Sequence, residues 1–192
     1  MSEPVKILAF AGSTRRDSWN KKLLHIAIQS ARSAGAQVTL IDLKDFPLPL
    51  YDGDLEATAG VPENALKLKE LFKSHQGLLL ACPEYNSSIT AVLKNTLDWV
   101  SRPVPDEPPL AAFKGKVVTL ISASPGALGG LRGLVHVRAI LGNIGCIVLP
   151  DQQAVSKASE AFNDTGGLKD EAMQKRIDGL GAQLAQFLAR LA

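Results

Sequence analysis

Two rhythms of apolar residues alternate along the chain. Short, nearly continuous apolar runs occur at residues 5–11 (VKILAFA), 37–42 (QVTLID), 77–82 (GLLLAC), 116–122 (KVVTLIS) and 147–149 (IVL). Their length and β-branched content predict strands buried on both faces of a parallel sheet. Between these runs, apolar residues recur every three or four positions, as they do on a helix with one buried face. From Leu23 that face is Leu23, Leu24, Ala27, Ile28 and Ala31, opposite Lys22, His25, Gln29 and Arg32. Over 61–74 it is Ala65, Leu68 and Phe72, with Pro62 suited to a first turn. Over 88–100 it is Ile89, Val92, Leu93, Thr96, Leu97 and Val100, and another helix is expected over 131–143. The last helix aligns Met173, Ile177, Leu180, Leu184, Phe187 and Leu191, despite Gly179 and Gly181, each of which costs up to about 1 kcal/mol.

Three segments follow neither rhythm. Residues 46–52 (FPLPLYD) read as extended and proline-limited, and 102–109 (RPVPDEPP) cannot be regular, because proline removes donors and biases its neighbour to extended geometry. The second of these is expected to be a surface loop, or an arm that covers a neighbouring subunit. Residues 151–167 are polar and end in a strong turn signal, NDTGG. The alternation of strand and helix, with no internal repeat, predicts an α/β fold: a three-layer sandwich around a five-stranded parallel sheet with right-handed crossovers. A chain of 192 residues fits this as one domain.

Charge adds little to the picture and removes several alternatives. The 21 basic and 19 acidic residues are well mixed, which gives no nucleic-acid track and no polybasic membrane anchor. The start, Met1-Ser2-Glu3-Pro4, lacks a basic region and the apolar run after it is too short to span a membrane, so a cytoplasmic protein is expected. Cys82 and Cys146 lie in or beside apolar strands and are read as buried thiols, and His25, His75 and His136 share no ligand spacing, so no metal is expected.

Candidate chemistry sits in the loops. In an open parallel sheet ligands bind outside the carboxyl ends of the strands, where strand order reverses. The loops after the first, third and fourth strands, GSTRRDSWN (12–20), PEYNSS (83–88) and SPGALGG (124–130), are the chemically unusual ones. The first has no G-x-x-x-x-G-K-[ST] spacing and no G-x-G-x-x-G, so it is neither a triphosphate loop nor a dinucleotide fingerprint. Hydroxyls, an amide and arginine before a helix start suit a terminal phosphate monoester: Ser13, Ser18 and Asn20 offer hydrogen bonds and Arg15 a charge-assisted one. The alternative reading is a Ser/Asn-capped helix whose arginines are merely solvated. In the second loop, Glu84 reads as a side chain facing solvent.

Together with LKN (93–95), DW (98–99) and AFND (161–164), the three loops resemble the NADPH-dependent FMN reductase family, in particular its quinone and chromate reductase-like branch, over nearly the whole chain. The resemblance implies a flavodoxin-like sheet of order 2-1-3-4-5, FMN as cofactor and NADPH or NADH as reductant. It also implies hydride transfer to quinones, free flavin, azo compounds or oxyanions such as chromate. It assigns Gly12, Ser13, Arg15, Ser18 and Asn20 to the FMN phosphate, with backbone amides of Thr14 and Trp19. Pro83, Glu84, Tyr85 and Asn86 fall along the flavin ring, with Tyr85 a possible acceptor contact, and Ser124 and Gly126 on its other side. No catalytic acid, base or nucleophile is implied, because the flavin carries the chemistry. Arg16, Arg102 and Arg132 are equal candidates for the 2′-phosphate of NADPH. The family's usual state implies a homodimer or homotetramer whose partners are small-molecule electron acceptors, with no nucleic acid and no membrane. A flavodoxin-type electron carrier and a flavin-binding redox sensor are the competing functions.

Overall fold

The apolar runs become neighbours in one parallel sheet in the computed structural model, which describes residues 3–191. Met1 and Ser2, the beginning of the amino-terminal segment discussed above, and Ala192 lie outside the described residues. In chain order the elements are β1 (Lys6–Ala11), α1 (Trp19–Ser33), β2 (Gln37–Leu40), α2 (Gly53–Ala59), α3 (Glu63–Lys73), β3 (Gly77–Ala81), β4 (Glu84–Tyr85), β5 (Ser88–Ile89), α4 (Ala91–Val100), β6 (Val117–Ala123), α5 (Leu131–Asn143), β7 (Ile147–Val155), α6 (Ala158–Ala161) and α7 (Glu171–Leu191). The main sheet runs β2-β1-β3-β6-β7, the expected 2-1-3-4-5 order once the small β4–β5 hairpin is set aside.

Side-chain alternation divides the core in two. Ile7 and Ala9 point with Leu79 and Ile121 toward α1 and α7, while Leu8 and Phe10 point with Leu78, Leu80 and Leu120 toward α3, α4 and α5. Each buried leucine or phenylalanine contributes about 1.5–3 kcal/mol by leaving water. Register matters most for the site: Ala11 lies opposite Ala81, and Ala81 opposite Ile121. The chain therefore leaves β1 and β3 at the same height of one rim, and β6 two residues further on, at Ala123.

Several boundaries differ from expectation, each for a local reason. α1 begins at Trp19, four residues before its apolar face shows in the sequence, with Ser18 as N-cap. β2 stops at Leu40 because Asp42 turns the chain, accepting the Lys44 N–H and starting a short 3-10 turn, Leu43–Asp45. α2 was invisible to periodicity because none of its residues is buried; Asp52 caps it. Ser88 and Ile89 are not helical but form β5, and α4 starts only after Thr90, whose Oγ1 accepts the Leu93 N–H. β7 runs well past Leu149: an irregularity opposite Thr119 absorbs Pro150, and pairing resumes with Leu120 opposite Gln152. Arg138 caps the freed carbonyls, donating to Leu149 O at 2.8 Å and Val148 O at 3.3 Å.

On α7 the buried stripe is Ile177, Leu180, Gly181, Leu184, Ala185 and Leu188, whereas Phe187 and Leu191 are exposed. Gly181 is a requirement rather than a cost, since a Cβ there would stand 2.1 Å from Ala27 O of α1. The proline-rich segment 102–109 is held by its own chain. Lys69 Nζ donates to Arg102 O at 2.5 Å, and Glu107 pairs with Lys69 at 3.3 Å and with Lys73. Those two cations keep the Glu107 carboxyl below the usual carboxylate range, Lys73 contributing most.

Candidate functional site

The loop after β1 is fixed at its root before it is free at its tip. Gly12 donates to Ala81 O at 2.9 Å, and its own carbonyl accepts from the buried Thr90 Oγ1 at 2.6 Å. Ser13, Ser18 and Asn20 are buried, whereas Thr14, Arg15 and Arg16 are exposed. The Arg15 guanidinium lies 4.7 Å from the centre of the Trp19 ring, a cation–π stack that leaves its donor edges open. Ser13 Oγ accepts the Arg15 N–H at 3.3 Å.

Asn20 departs from the role the sequence suggests. Its Nδ2 donates to Ala123 O at 2.7 Å and its Oδ1 accepts the Ala123 N–H at 3.0 Å. Both ends of the amide are thus spent on the last residue of β6. Asn20 braces the first loop against the third, and only its backbone N–H is left for a ligand.

The start of α1 is chemically open. Ser18 has the extended geometry of an N-cap but its hydroxyl makes no cap bond, and the first turn holds no acidic residue. Among the described residues, no protein acceptor meets the N–H groups of Trp19, Asn20 and Lys21. In two other helices that begin at this rim, α4 and α5, a first-turn N–H is met by a protein side chain. Thr90 caps α4, and in α5 the Gly133 N–H donates to Glu84 Oε2 at 3.0 Å. Unpaired N–H groups at a helix start attract an anion by about 0.3–1 kcal/mol from the dipole alone.

The second loop folds as a hairpin, β4 and β5 joined by Asn86 (φ 50°) and Ser87 (φ 66°), the positive angles of a two-residue type I′ turn. Pro83 is buried at its root and Tyr85 is 60% exposed at its tip. Glu84 does not face solvent, contrary to the sequence reading. Its side chain is 9% exposed, and Oε1 accepts from Arg132 Nε at 3.2 Å and Nη2 at 3.0 Å.

The third loop is pinned to the end of β7. Ser124 donates its N–H to Val155 O at 3.1 Å and accepts that of Ala158 at 3.1 Å, while Lys157 N–H donates to Gly126 O at 3.3 Å. Gly130 must be glycine, with φ 98° and a would-be Cβ only 2.0 Å from Ser122 Oγ. Gly126 is different: a Cβ there would meet only Ser124 Oγ, at 3.8 Å, so the protein's own packing does not demand glycine.

The arginines separate clearly. Arg102 Nε donates to Glu56 Oε1 at 2.7 Å and stacks 5.3 Å from the Tyr51 ring centre, holding the Glu56 carboxyl below its usual range. Arg132 is engaged by Glu84. Arg16 has no acidic partner among the described residues. Burial pushes the Cys82 and Cys146 thiols up to about 12, in keeping with packing and not redox chemistry. No group of metal-binding side chains occurs among the described residues, and no described helix is long and apolar enough to cross a membrane.

Two supporting residues escaped sequence reading. Thr90 carries a signal, a hydroxyl three residues before Leu93, that a cap search finds. Ser122, whose Oγ donates to Cys82 O at 2.7 Å, has none, because its partner lies 40 residues away.

The chain is 34% identical over 192 residues to an NAD(P)H-dependent FMN reductase of Pseudomonas aeruginosa, covering 100% of this chain and 99% of that one. It is 29% identical over 193 residues to a quinone reductase of Escherichia coli strain K12, with 100% and 99% covered. FerB, a flavoenzyme NAD(P)H:(acceptor) oxidoreductase from Paracoccus denitrificans, superposes with a TM-score of 0.79 at 28% identity, over 97% of this chain and 98% of that one. The sequence profile of the NADPH-dependent FMN reductases matches residues 5–160, and the chain belongs to that family.

Proposed function

We propose that the rim formed by the loops after β1, β3 and β6 holds FMN, and that the protein is an NAD(P)H-dependent oxidoreductase acting on quinones. The observation that carries this reading is the open start of α1, which receives no side-chain cap, beside the starts of α4 and α5, which each receive one. A phosphate monoester fits the donor set there. Ser13 and Ser18 hydroxyls, the N–H groups of residues 19–21 and the free edge of Arg15 all suit its oxygens. Asn20 and Gly12 serve the same site by bracing it. Gly12 has both its N–H and its carbonyl engaged by the protein and so is not free for the phosphate that the resemblance assigned it, and Thr14 offers its backbone N–H at the exposed tip. The bare Cα of Gly126 beside Ser124 allows a flat ring to approach the third loop, with Pro83, Glu84, Tyr85 and Asn86 as the facing wall.

FMN bound there would supply the redox chemistry, hydride transfer between NAD(P)H and the second substrate. The chain's residues bind, orient and leave one side open. Backbone N–H groups of the second and third loops are suited to the ring's polar edge, and the exposed Tyr85 hydroxyl is placed to donate to an acceptor's oxygen. With Arg102 and Arg132 committed elsewhere, Arg16 is the one of the three candidate arginines free to meet the 2′-phosphate of NADPH. Free flavin, azo compounds and chromate are further proposed acceptors. One FMN-binding domain, a homodimer or homotetramer and a cytoplasmic location complete the reading.

The test is direct. Purified protein is expected to take up FMN, seen in its visible spectrum, and to oxidise NADPH or NADH anaerobically with a quinone by ping-pong kinetics. Protein that stays colourless at saturating FMN overturns the proposal. Tight FMN binding without turnover moves the protein to the carrier or sensor class.

A further inference from the structure

The β4–β5 hairpin is too short to hold itself, with two residues in each strand. An isolated two-stranded hairpin is at best marginal in water. What fixes this one is α5. The Glu84 carboxylate takes the Gly133 N–H at 3.0 Å and the Arg132 guanidinium at 3.0 and 3.2 Å, and Ser88 Oγ lies 2.9 Å from His136 Nδ1 one turn further on. The helix comes this close because residue 133 lacks a side chain: a Cβ there would stand 3.3 Å from Ser88 O and 3.4 Å from Glu84 Cβ. A carboxylate in the first turn of a helix is favoured by both the free N–H and the dipole.

We infer that Glu84 is a positioning residue, whose carboxylate, docked on the first turn of α5, sets where Tyr85 and Asn86 stand at the rim. The inference rests on the FMN reading above. Under it, Glu84 acts on the flavin ring through the hairpin, while the phosphate end at residues 13–20 is held by separate contacts. Loss of the dock therefore weakens FMN and riboflavin by the same factor. That is the signature of a ring effect, because riboflavin lacks the phosphate.

The experiment uses the full chain with Glu84→Ala and Glu84→Gln, the latter keeping an oxygen for Gly133 N–H but losing the charge that Arg132 meets. Dissociation constants for FMN and riboflavin are read from flavin fluorescence, and amide hydrogen exchange is followed in FMN-free protein. Glu84→Ala is expected to weaken both flavins by about tenfold. Amides of 84–89 should exchange at least about tenfold faster, with β1 and β3 unchanged. Glu84→Gln should fall between, and carries the test if the alanine variant does not fold. Unchanged exchange in the hairpin overturns the inference, as does faster exchange with unaltered flavin binding, or weaker FMN with riboflavin unaffected. A wild type that takes up neither flavin overturns the FMN reading and the ring role together. A wild type that binds both, beside variants that bind equally well, overturns only the role of Glu84.

Discussion

The two rims of the sheet treat backbone polar groups in opposite ways. At the amino-terminal rim, protein groups answer one another. The buried His75 bonds Thr39 Oγ1 at 2.8 Å and Leu71 O at 2.6 Å through its two ring nitrogens, and Lys116 Nζ donates to His75 O at 2.6 Å and Lys73 O at 3.2 Å. At the carboxyl-terminal rim the roots of the loops are tied just as firmly, by Thr90, Ser122 and Asn20, but the start of α1 has donors that nothing in the described chain accepts. The difference teaches that openness here is local. A few unpaired N–H groups sit on a base tied by Thr90, Ser122 and Asn20, which is how a rigid scaffold presents a ligand site.

The sharpest way to break the comparison is Asn20→Ala. Although Asn20 lies at the open rim, it behaves as a closed-rim residue, and its loss leaves the N–H and carbonyl of Ala123 without partners. We expect urea unfolding to show about 3 kcal/mol less stability, with FMN binding lost as well. Next is His75→Ala, for which about 2 kcal/mol of stability should go while the FMN dissociation constant stays as it was. A change in FMN affinity would show that the rims are coupled. Arg15→Ala sharpens the contrast from the other side. FMN should bind about tenfold more weakly, riboflavin equally well, and thermal unfolding should not move.

The buried thiols give a pH test. With folded values near 12 against an ordinary 9.0, Cys82 and Cys146 keep their protons in the fold longer than in the unfolded chain. Their contribution is complete below pH 9 and is lost as pH rises through about 12, so urea stability should fall over that window. A Cys82→Ala/Cys146→Ala double variant should show a shallower fall. The smallest effect is expected for Tyr85→Phe. Its exposed ring predicts unchanged stability and a kcat/KM for quinone lowered about threefold.

Much of the scaffold was legible because it depends on period and composition: five apolar runs, the helical stripes and three odd loops at one rim. The misreadings fall where partners are distant in sequence. Asn20 and Ala123 are 103 residues apart, and Glu84 and Gly133 are 49 apart. Nothing near Asn20 says that its amide turns inward, so the phosphate was the natural guess. Nothing near Glu84 says that a helix start waits for it. The run at 147–149 fell short of β7 for a different reason: the strand continues past Pro150 as a polar segment, which an edge strand with an irregularity tolerates.

That irregularity has a further consequence. The outermost strands of the sheet are β7, kinked at Pro150 and with its loosened carbonyls covered by Arg138, and β2, four residues long. Neither offers the long flat ribbon of free donors and acceptors that lets one chain template another into a growing fibre. Copies of this protein that meet in a crowded solution therefore find helices and loops to touch, and the polymerisation hazard common to open sheets is suppressed at both borders.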